Sequence, residues 1–176
     1  MLAVLLLLLS PASSLVYPYD RAVSRRLCRY AFAAYASDAV RGWHCECCKD
    51  LAVPPPRLVN DTRANLLGFV TPSDPELQGA AVVSFRGTQG TSLKNWIEDL
   101  HASKTTPYRG DPNIRVHKGF DEAYELLRTQ VHDALDAINP SHVIVTGHSL
   151  GEHTFLLWML ILDPSHFSSR FLTASL

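Results

Sequence analysis

The sequence has no surplus of basic residues. Its 176 residues include 16 Lys and Arg against 17 Asp and Glu, which gives a formal net charge of −1 at pH 7. Because nucleic-acid binding depends on a basic surface that neutralises phosphates, this composition argues against a nucleic-acid partner. Internal repeats and low-complexity tracts are absent, and 47% of the residues are hydrophobic. The composition predicts one globular domain and gives no indication of a stable protein partner.

The chain also lacks a hydrophobic run long enough to span a membrane. The apolar run at its start, Met1–Leu9, is too short for a bilayer core of about 30 Å. Ala12 and Ser14 then supply small residues at the positions that a signal peptidase reads. We predict that residues 1–14 form a cleaved signal peptide and that residues 15–176 are secreted. An uncleaved anchor is the alternative, because the first residues contain no Lys or Arg.

Cysteine is absent after residue 48, and the four cysteines present are Cys28, Cys45, Cys47 and Cys48. In a secreted protein an even count predicts disulfides, and we expect Cys28 to pair with one of the other three, without a preference among them. Cys47 and Cys48 are adjacent, with Cα atoms about 3.8 Å apart, too close for ordinary disulfide geometry. A metal site built from His44 and the cysteines is the alternative, but no second pair of ligands accompanies it, and we expect no metal or cofactor.

One short sequence pattern predicts a covalent modification. Asn60-Asp61-Thr62 is an N-glycosylation sequon. Such a sequon in a secreted chain predicts that Asn60 carries a glycan and lies on the surface.

The distribution of apolar residues predicts alternating helices and strands. Helical spacing extends from Asp20, a capping residue, to about Ser37, and again from Phe120 to Ile138. Between them, apolar runs at 65–71 and 79–85 flank a turn-rich segment and predict a hairpin. A further apolar strand precedes residue 147. This order predicts an α/β fold with a mainly parallel sheet.

That last strand leads into Gly147-His148-Ser149-Leu150-Gly151, which has the pattern G-x-S-x-G. In a nucleophile elbow the glycines allow a sharp turn from strand to helix, so that the serine Oγ is exposed at the helix N-terminus. The pattern therefore predicts Ser149 as a catalytic nucleophile. A plain glycine-rich turn is the alternative.

Four blocks together resemble the class 3 lipases, the fungal-type triacylglycerol lipase family with an α/β-hydrolase fold. They occur in the family's order between about residues 66 and 151, and they are Val82-Val83-Ser84-Phe85-Arg86-Gly87-Thr88, Asn95-Trp96-Ile97-Glu98-Asp99-Leu100, Val116-His117-Lys118-Gly119-Phe120 and Thr146-Gly147-His148-Ser149-Leu150-Gly151. The resemblance implies a lipid or ester substrate bound at an interface.

The resemblance also implies roles for single residues. Leu150 follows the nucleophile and would supply one backbone N–H to the oxyanion hole, and Thr88 would supply the other. The lid over the site would be the amphipathic segment whose apolar residues are Leu93, Trp96, Ile97 and Leu100. A small helix packed on the core is the alternative to a lid.

Two histidines in the blocks are predicted to be structural. His117 precedes the nucleophile, whereas α/β-hydrolases place the base after it, so we expect His117 to have a structural role before the long helix. His148 lies inside the elbow, and we expect its side chain to be a packing residue directed away from the serine Oγ.

After Gly151 the sequence departs from the family. Glu152 and His153 replace a glycine and a small residue, and the acids and histidines after Ser149 are Glu152, Asp163, His153 and His166. None matches the family's Asp or His, so no triad acid or base is identifiable.

Residues 152–176 are therefore interpreted as a tail that arises from a frameshift, from alternative splicing or from true divergence. Deleting one base from codons for Gly-Gly-Ala-His can give Gly-Glu-His-Thr, which is found at residues 151–154. We expect a fold truncated after the elbow helix, with no later strand, and a chain that is itself inactive. The rival functions are a non-catalytic lipid-surface binding fragment and an esterase or phospholipase of the same fold.

Overall fold

A five-stranded sheet forms the centre of the protein. The computed structural model describes residues 20–36, 38–87, 104–105, 116–149, 151 and 170–175. In these residues the sheet has the strand order β1-β2-β3-β6-β7, and β4 pairs with β5 separately. The strands are β1 (Arg57–Asp61), β2 (Leu66–Val70), β3 (Ala81–Phe85), β4 (Lys104–Thr105), β5 (Val116–His117), β6 (His142–Gly147) and β7 (Arg170–Ser175).

The two helices predicted before the elbow strand are present, one shorter and one longer than expected, whereas the predicted helices at 93–100 and after Gly151 lie outside the described residues. Helix α1 is Arg21–Ala33, α2 is Asp38–Arg41 and α3 is Lys118–Ile138, and three-ten helices cover Glu46–Cys48 and Pro75–Leu77. Asp20 caps α1, because its carboxylate accepts hydrogen bonds from the N–H groups of Ala22 and Val23. The helix expected to continue to Ser37 instead ends at Ala33, and α3 ends where Asn139 adopts a left-handed φ of 47°.

The pairing of the strands makes the sheet mixed. The predicted hairpin is confirmed, since β2 pairs with β3 in antiparallel orientation. Strand β6 lies parallel to β3 on one side and to β7 on the other, whereas β1 pairs antiparallel with β2. The expectation of a mainly parallel sheet is therefore wrong at its β1–β2–β3 end, where short connections favour antiparallel pairing.

Two strands of the central sheet, β1 and β7, were not expected from the sequence, and neither was the separate β4–β5 pair. Strand β1 presents mostly polar residues and buries only Val59, as an edge strand does. Strand β7 lies beyond the elbow and pairs along the whole of β6, from His142–Arg170 to Gly147–Ser175. The expectation that the sheet ends at the elbow strand is thus wrong, because residues 170–175 cover the edge that β6 would otherwise expose.

The sheet separates two apolar clusters. On one face, here called the α3 face, α3 packs against inward residues of the strands such as Val83 and Val145. On the opposite face, the α1 face, α1 and the residues that follow it pack against Phe69, Val82 and Ile144. Alternate residues of β3 supply the two clusters, as strand geometry requires. Strand β6 is buried along its full length and leads directly into the elbow residues His148 and Ser149.

The cysteines pair differently from the expectation. Cys45 and Cys48 form a disulfide, while Cys28 and Cys47 are thiols. The three-ten helix brings Cys45 and Cys48 together, so the expectation is wrong for these two as partners of Cys28. Cys47, the third candidate partner, is also unbonded in this structure. Cys47 and Cys48 do not pair with each other, as predicted. No helix in the part of the chain that the structure describes is both long and apolar enough to cross a membrane.

Candidate active site

Ser149 stands at the turn that follows the central strand β6. Its φ is 60°, in the left-handed region that residues other than glycine seldom adopt. Such a conformation costs roughly 1–3 kcal/mol and persists where the surrounding structure enforces it, often at functional sites. Gly151, two residues later, is already helical, and its N–H donates to the carbonyl of His148. A buried strand, a serine with a strained backbone and the start of a helix thus follow one another, and this is the order that a nucleophile elbow requires.

Glycine is required at position 151 by its contact with β3. A Cβ atom added to Gly151 would lie 2.3 Å from the carbonyl oxygen of Phe85. Real Cβ atoms do not approach backbone atoms so closely, so a larger residue would force the start of the elbow helix away from β3. The elbow and the end of β3 are therefore in direct contact.

Gly87 forms the second contact between the elbow and the segment after β3. A Cβ atom added there would lie 2.5 Å from the carbonyl oxygen of His148 and 3.2 Å from Cβ of Ser149. This contact places the backbone of Gly87 beside the nucleophile. The described part of this block therefore ends at Gly87, beside Ser149.

Tyr35, just after α1, connects both of these segments. Its hydroxyl accepts a hydrogen bond from the N–H of Gly87 at 3.1 Å and lies 3.1 Å from Nδ1 of His148. It is also 3.4 Å from the carbonyl oxygen of His148. Burial raises the pKa of Tyr35, although the bond from Gly87 and the charge of Arg86 oppose the rise. The neutral hydroxyl can therefore accept from one segment and donate to the other.

Sequence reasoning missed Tyr35. It lies 52 residues from Gly87 and 113 from His148, so no local pattern could identify the contact. Its position at the end of a predicted helix is equally typical of a core tyrosine. Tyr35 could be identified only from the topology, which places the end of α1 next to the strand that leads into the elbow.

The two histidines of the matched blocks make local contacts that fit the structural roles expected for them. The His148 ring packs 5.1 Å from the ring of Phe32 and 5.8 Å from that of Tyr35, in an edge arrangement with the latter. Nδ1 of His117 accepts a hydrogen bond from the N–H of Gly119 at 3.1 Å, so His117 caps α3. Each imidazole is thus engaged in local packing or capping.

Several predicted residues lie outside the described residues. They are Thr88 and Leu150 of the oxyanion hole, Leu93, Trp96, Ile97 and Leu100 of the lid, and Glu152, His153, Asp163 and His166 of the tail, together with the signal peptide. Asn60 is described, and it is exposed on the edge strand β1. Its backbone N–H and carbonyl both bind the side-chain amide of Gln130 in α3, which fixes the sequon on the surface.

The alternative of a zinc site near His44 receives no support. Cys45 and Cys48, two of its four ligands, are joined in a disulfide and are not thiolates. Within the described ranges, no group of three or more His, Cys, Asp or Glu side chains is placed to hold a metal ion.

Comparison with protein families agrees with this geometry. Residues 82–168 match the family Lipase (class 3), a range that includes the elbow, the four blocks and all but the first residue of β3. The chain belongs to the class 3 lipase family. A curated relative of this lipase-family chain is a lipase from Rhizomucor miehei, 33% identical over 150 residues that cover 82% of this chain and 38% of the relative.

Solved lipase structures share the fold. A lipase from Rhizopus microsporus var. chinensis superposes with a TM-score of 0.61 and 29% identity, covering 92% of this chain and 61% of that one. Lipase II from Rhizopus niveus superposes with a TM-score of 0.60 and 27% identity, covering 87% and 63%. The fold is that of the α/β-hydrolases, and this class 3 lipase chain spans less than two thirds of the length of these relatives.

Proposed function

We propose that this chain carries the nucleophile and oxyanion hole of a serine hydrolase that cleaves lipid esters such as triacylglycerols. The observation that supports this most strongly is Ser149 at a φ of 60° between a buried central strand and a helix start. In the proposed reaction, Oγ of Ser149 attacks the ester carbonyl carbon and transfers its proton to a base. The alcohol then leaves, and water releases the fatty acid from the acyl-enzyme.

The oxyanion hole is proposed to form where the two segments meet. The negative charge on the carbonyl oxygen would be stabilised by the N–H groups of Leu150 and Thr88, each worth about 3–4 kcal/mol of barrier. The support for this arrangement is the contact of Gly87 with Ser149 and His148, because Thr88 and Leu150 are the next residues along each segment. Tyr35 keeps the two segments at a fixed separation through its hydrogen bonds.

The substrate is proposed to lie in a lipid surface. The amphipathic segment with Leu93, Trp96, Ile97 and Leu100 would cover Ser149 in water and open at the interface. Export through the signal peptide at residues 1–14 and glycosylation at Asn60 complete the proposal, and the exposure of Asn60 supports the latter.

The 176 residues expressed alone are expected to hydrolyse esters only weakly. No acid or histidine after Ser149 matches the family's triad partners. Removing triad partners costs several orders of magnitude in turnover, so what remains is the contribution of binding and of the oxyanion hole.

The test uses the chain and a chimera. In the chimera, residues 15–151 are joined to the segment that follows the elbow of the Rhizopus microsporus lipase, which restores an acid and a base. We expect the chimera to hydrolyse emulsified tributyrin and a long-chain triglyceride, the chain alone to show at most a trace of that rate, and Ser149→Ala to abolish turnover.

Three results would contradict parts of the proposal. Turnover by the chain alone at the rate of an intact lipase would contradict the expected loss of activity and would point to His153 or His166 as the base. A chimera that hydrolyses soluble short esters but not emulsions would indicate an esterase. Lipid-vesicle binding by a folded but inactive chimera would favour the non-catalytic binding fragment.

A further inference from the structure

A groove between α1 and the three-ten helix Glu46–Cys48 contains the two cysteines that the disulfide leaves unpaired. The groove has a volume of about 400 Å³. Arg25, Cys28 and Arg29 line it from α1, and Glu46, Cys47, Lys49 and Asp50 line it from the opposite side. Cys28 and Cys47 are both half-buried thiols. The fold thus brings into one groove two thiols that come from different elements.

The Cys45–Cys48 disulfide determines which side of the three-ten helix Cys47 occupies. Side chains three residues apart lie on the same side of such a helix. Cys45 and Cys48 accordingly face the core together, with exposures of 5% and 2%. Cys47 lies on the groove side. It cannot pair with its neighbour Cys48, because adjacent cysteines are too close for ordinary disulfide geometry and Cys48 is already bonded to Cys45. The remaining partner for Cys47 in this chain is Cys28.

Polar contacts hold the two sides of the groove together. Nη1 of Arg29 lies 2.5 Å from Oδ2 of Asp50, in an ion pair next to Cys28. Nη1 of Arg26 donates to the carbonyl of Asp50 at 3.4 Å. Because both arginines flank Cys28 on α1 and Asp50 follows Cys47 by three residues, these contacts limit relative movement of the two thiols. Both thiols are also accessible enough for an oxidant to reach them.

We propose that Cys28 and Cys47 form a second disulfide bond, which joins α1 to the three-ten helix. Each thiol loses a proton, and the pair loses two electrons to a glutathione-type disulfide, which is reduced to two thiols as the new S–S bond forms. The bond closes the chain between residues 28 and 47 and so restricts the unfolded state. This proposal does not depend on the hydrolase activity.

Peptide mapping tests the proposal directly. The folded chain is incubated in a buffer of oxidised and reduced glutathione, alkylated with N-ethylmaleimide and digested with trypsin without reduction. Trypsin releases Cys28 in Leu27–Arg29 and the other cysteines in Gly42–Lys49. We expect the two peptides to be linked with no alkylated cysteine. Unlinked peptides with one alkylated cysteine each would overturn the proposal.

Two variants identify the partner. In Cys47→Ser the peptide Leu27–Arg29 is expected to be unlinked, with Cys28 alkylated. In Cys45→Ser the peptides are expected to remain linked, with one alkylated cysteine in Gly42–Lys49. A link that persists in Cys47→Ser would overturn the proposal, because Cys28 would then pair with Cys45 or Cys48. That result would also reveal a scrambled or unfolded chain.

Discussion

The two faces of the sheet are held by different kinds of interaction. On the α3 face, a long amphipathic helix packs on the strands through apolar side chains such as Leu127 and Val131. On the α1 face, an apolar cluster is accompanied by buried polar contacts. Arg26 and Tyr30 both bind Oδ2 of Asp74, at 2.6 and 2.5 Å.

This difference indicates which face of the sheet determines the geometry of the candidate active site. Apolar contacts are not directional, so the apolar packing of the α3 face stabilises the sheet without fixing the position of any atom of the elbow. Hydrogen bonds are directional, and those of the α1 face extend from Asp74 at one end to Tyr35, Gly87 and His148 at the elbow. Helix α1 therefore positions the elbow, while α3 mainly contributes stability.

The largest effect is expected from breaking the buried ion pair of the α1 face. Arg26→Met leaves the carboxylate of Asp74, which is 0% exposed, without its cation. Because an unpaired buried charge is costly, we expect the free energy of unfolding to fall by about 3–5 kcal/mol. Urea titration of the unmodified chain and of Arg26→Met measures this loss. Arg29→Met is the control, since its pair with the exposed Asp50 should contribute less than about 1 kcal/mol. Equal losses of unfolding free energy in Arg26→Met and Arg29→Met would refute the distinction between the buried and the exposed ion pair.

A somewhat smaller effect is expected from a cavity on the α3 face. Leu127 is 1% exposed, and Leu127→Ala should lower the free energy of unfolding by about 3 kcal/mol through lost burial and the cavity that remains. Leu126→Ala is the matched control in the same helix, because Leu126 is 46% exposed and its truncation should cost less than about 0.5 kcal/mol. The account also predicts that neither variant alters the amide exchange of Gly87. A change there would show that the α3 face positions the site as well.

The third prediction concerns the hydroxyl that joins α1 to the elbow. Tyr35→Phe leaves the N–H of Gly87 without its acceptor, so we expect a loss of about 1–2 kcal/mol. Hydrogen exchange should show faster exchange at Gly87. Phe32→Leu serves as control, because it removes the ring contact with His148 and retains the hydroxyl. Unchanged exchange at Gly87 in Tyr35→Phe would contradict the role given to Tyr35.

The smallest effect is expected from alkaline pH. Burial raises the pKa of Tyr30 above its ordinary value of 10.0, and the hydrogen bond and charge of Asp74 act in the same direction. A raised pKa in the folded state contributes stability that is present below pH 10 and is lost as pH rises above it, because the unfolded state then ionises first. We expect about 1 kcal/mol of loss between pH 10 and 11.

The control for this titration is Tyr30→Phe. The variant should show a flatter dependence of the unfolding free energy on pH over the same interval. An equally steep decline in the variant would assign the effect to other groups.

Patterns that act over a few residues could be predicted from the sequence. The Asp20 cap, the β2–β3 hairpin and the Gly-x-Ser-x-Gly elbow all depend on neighbours in the chain. The α/β-hydrolase fold followed from the same blocks, because their order is specific.

Features that depend on the third dimension could not be predicted. Strand β1 is mostly polar because it is an edge, so it lacks the apolar run that marks β6. The Tyr35 contacts depend on how distant segments meet. The Cys45–Cys48 bond is local, but it depends on a three-ten turn that the sequence pattern did not predict. Strand β7 was missed because the departure from the family after Gly151 suggested that the sheet had ended.

The most direct test of the account is covalent labelling of the chimera with a long-chain alkyl phosphonate, followed by peptide mapping. Phosphonates mimic the tetrahedral intermediate and react with an activated serine in an oxyanion hole. The account predicts a single modified residue, Ser149, and no modification of Ser149→Ala under the same conditions. A phosphonate on any other residue, or an active chimera that leaves Ser149 unmodified, would contradict it.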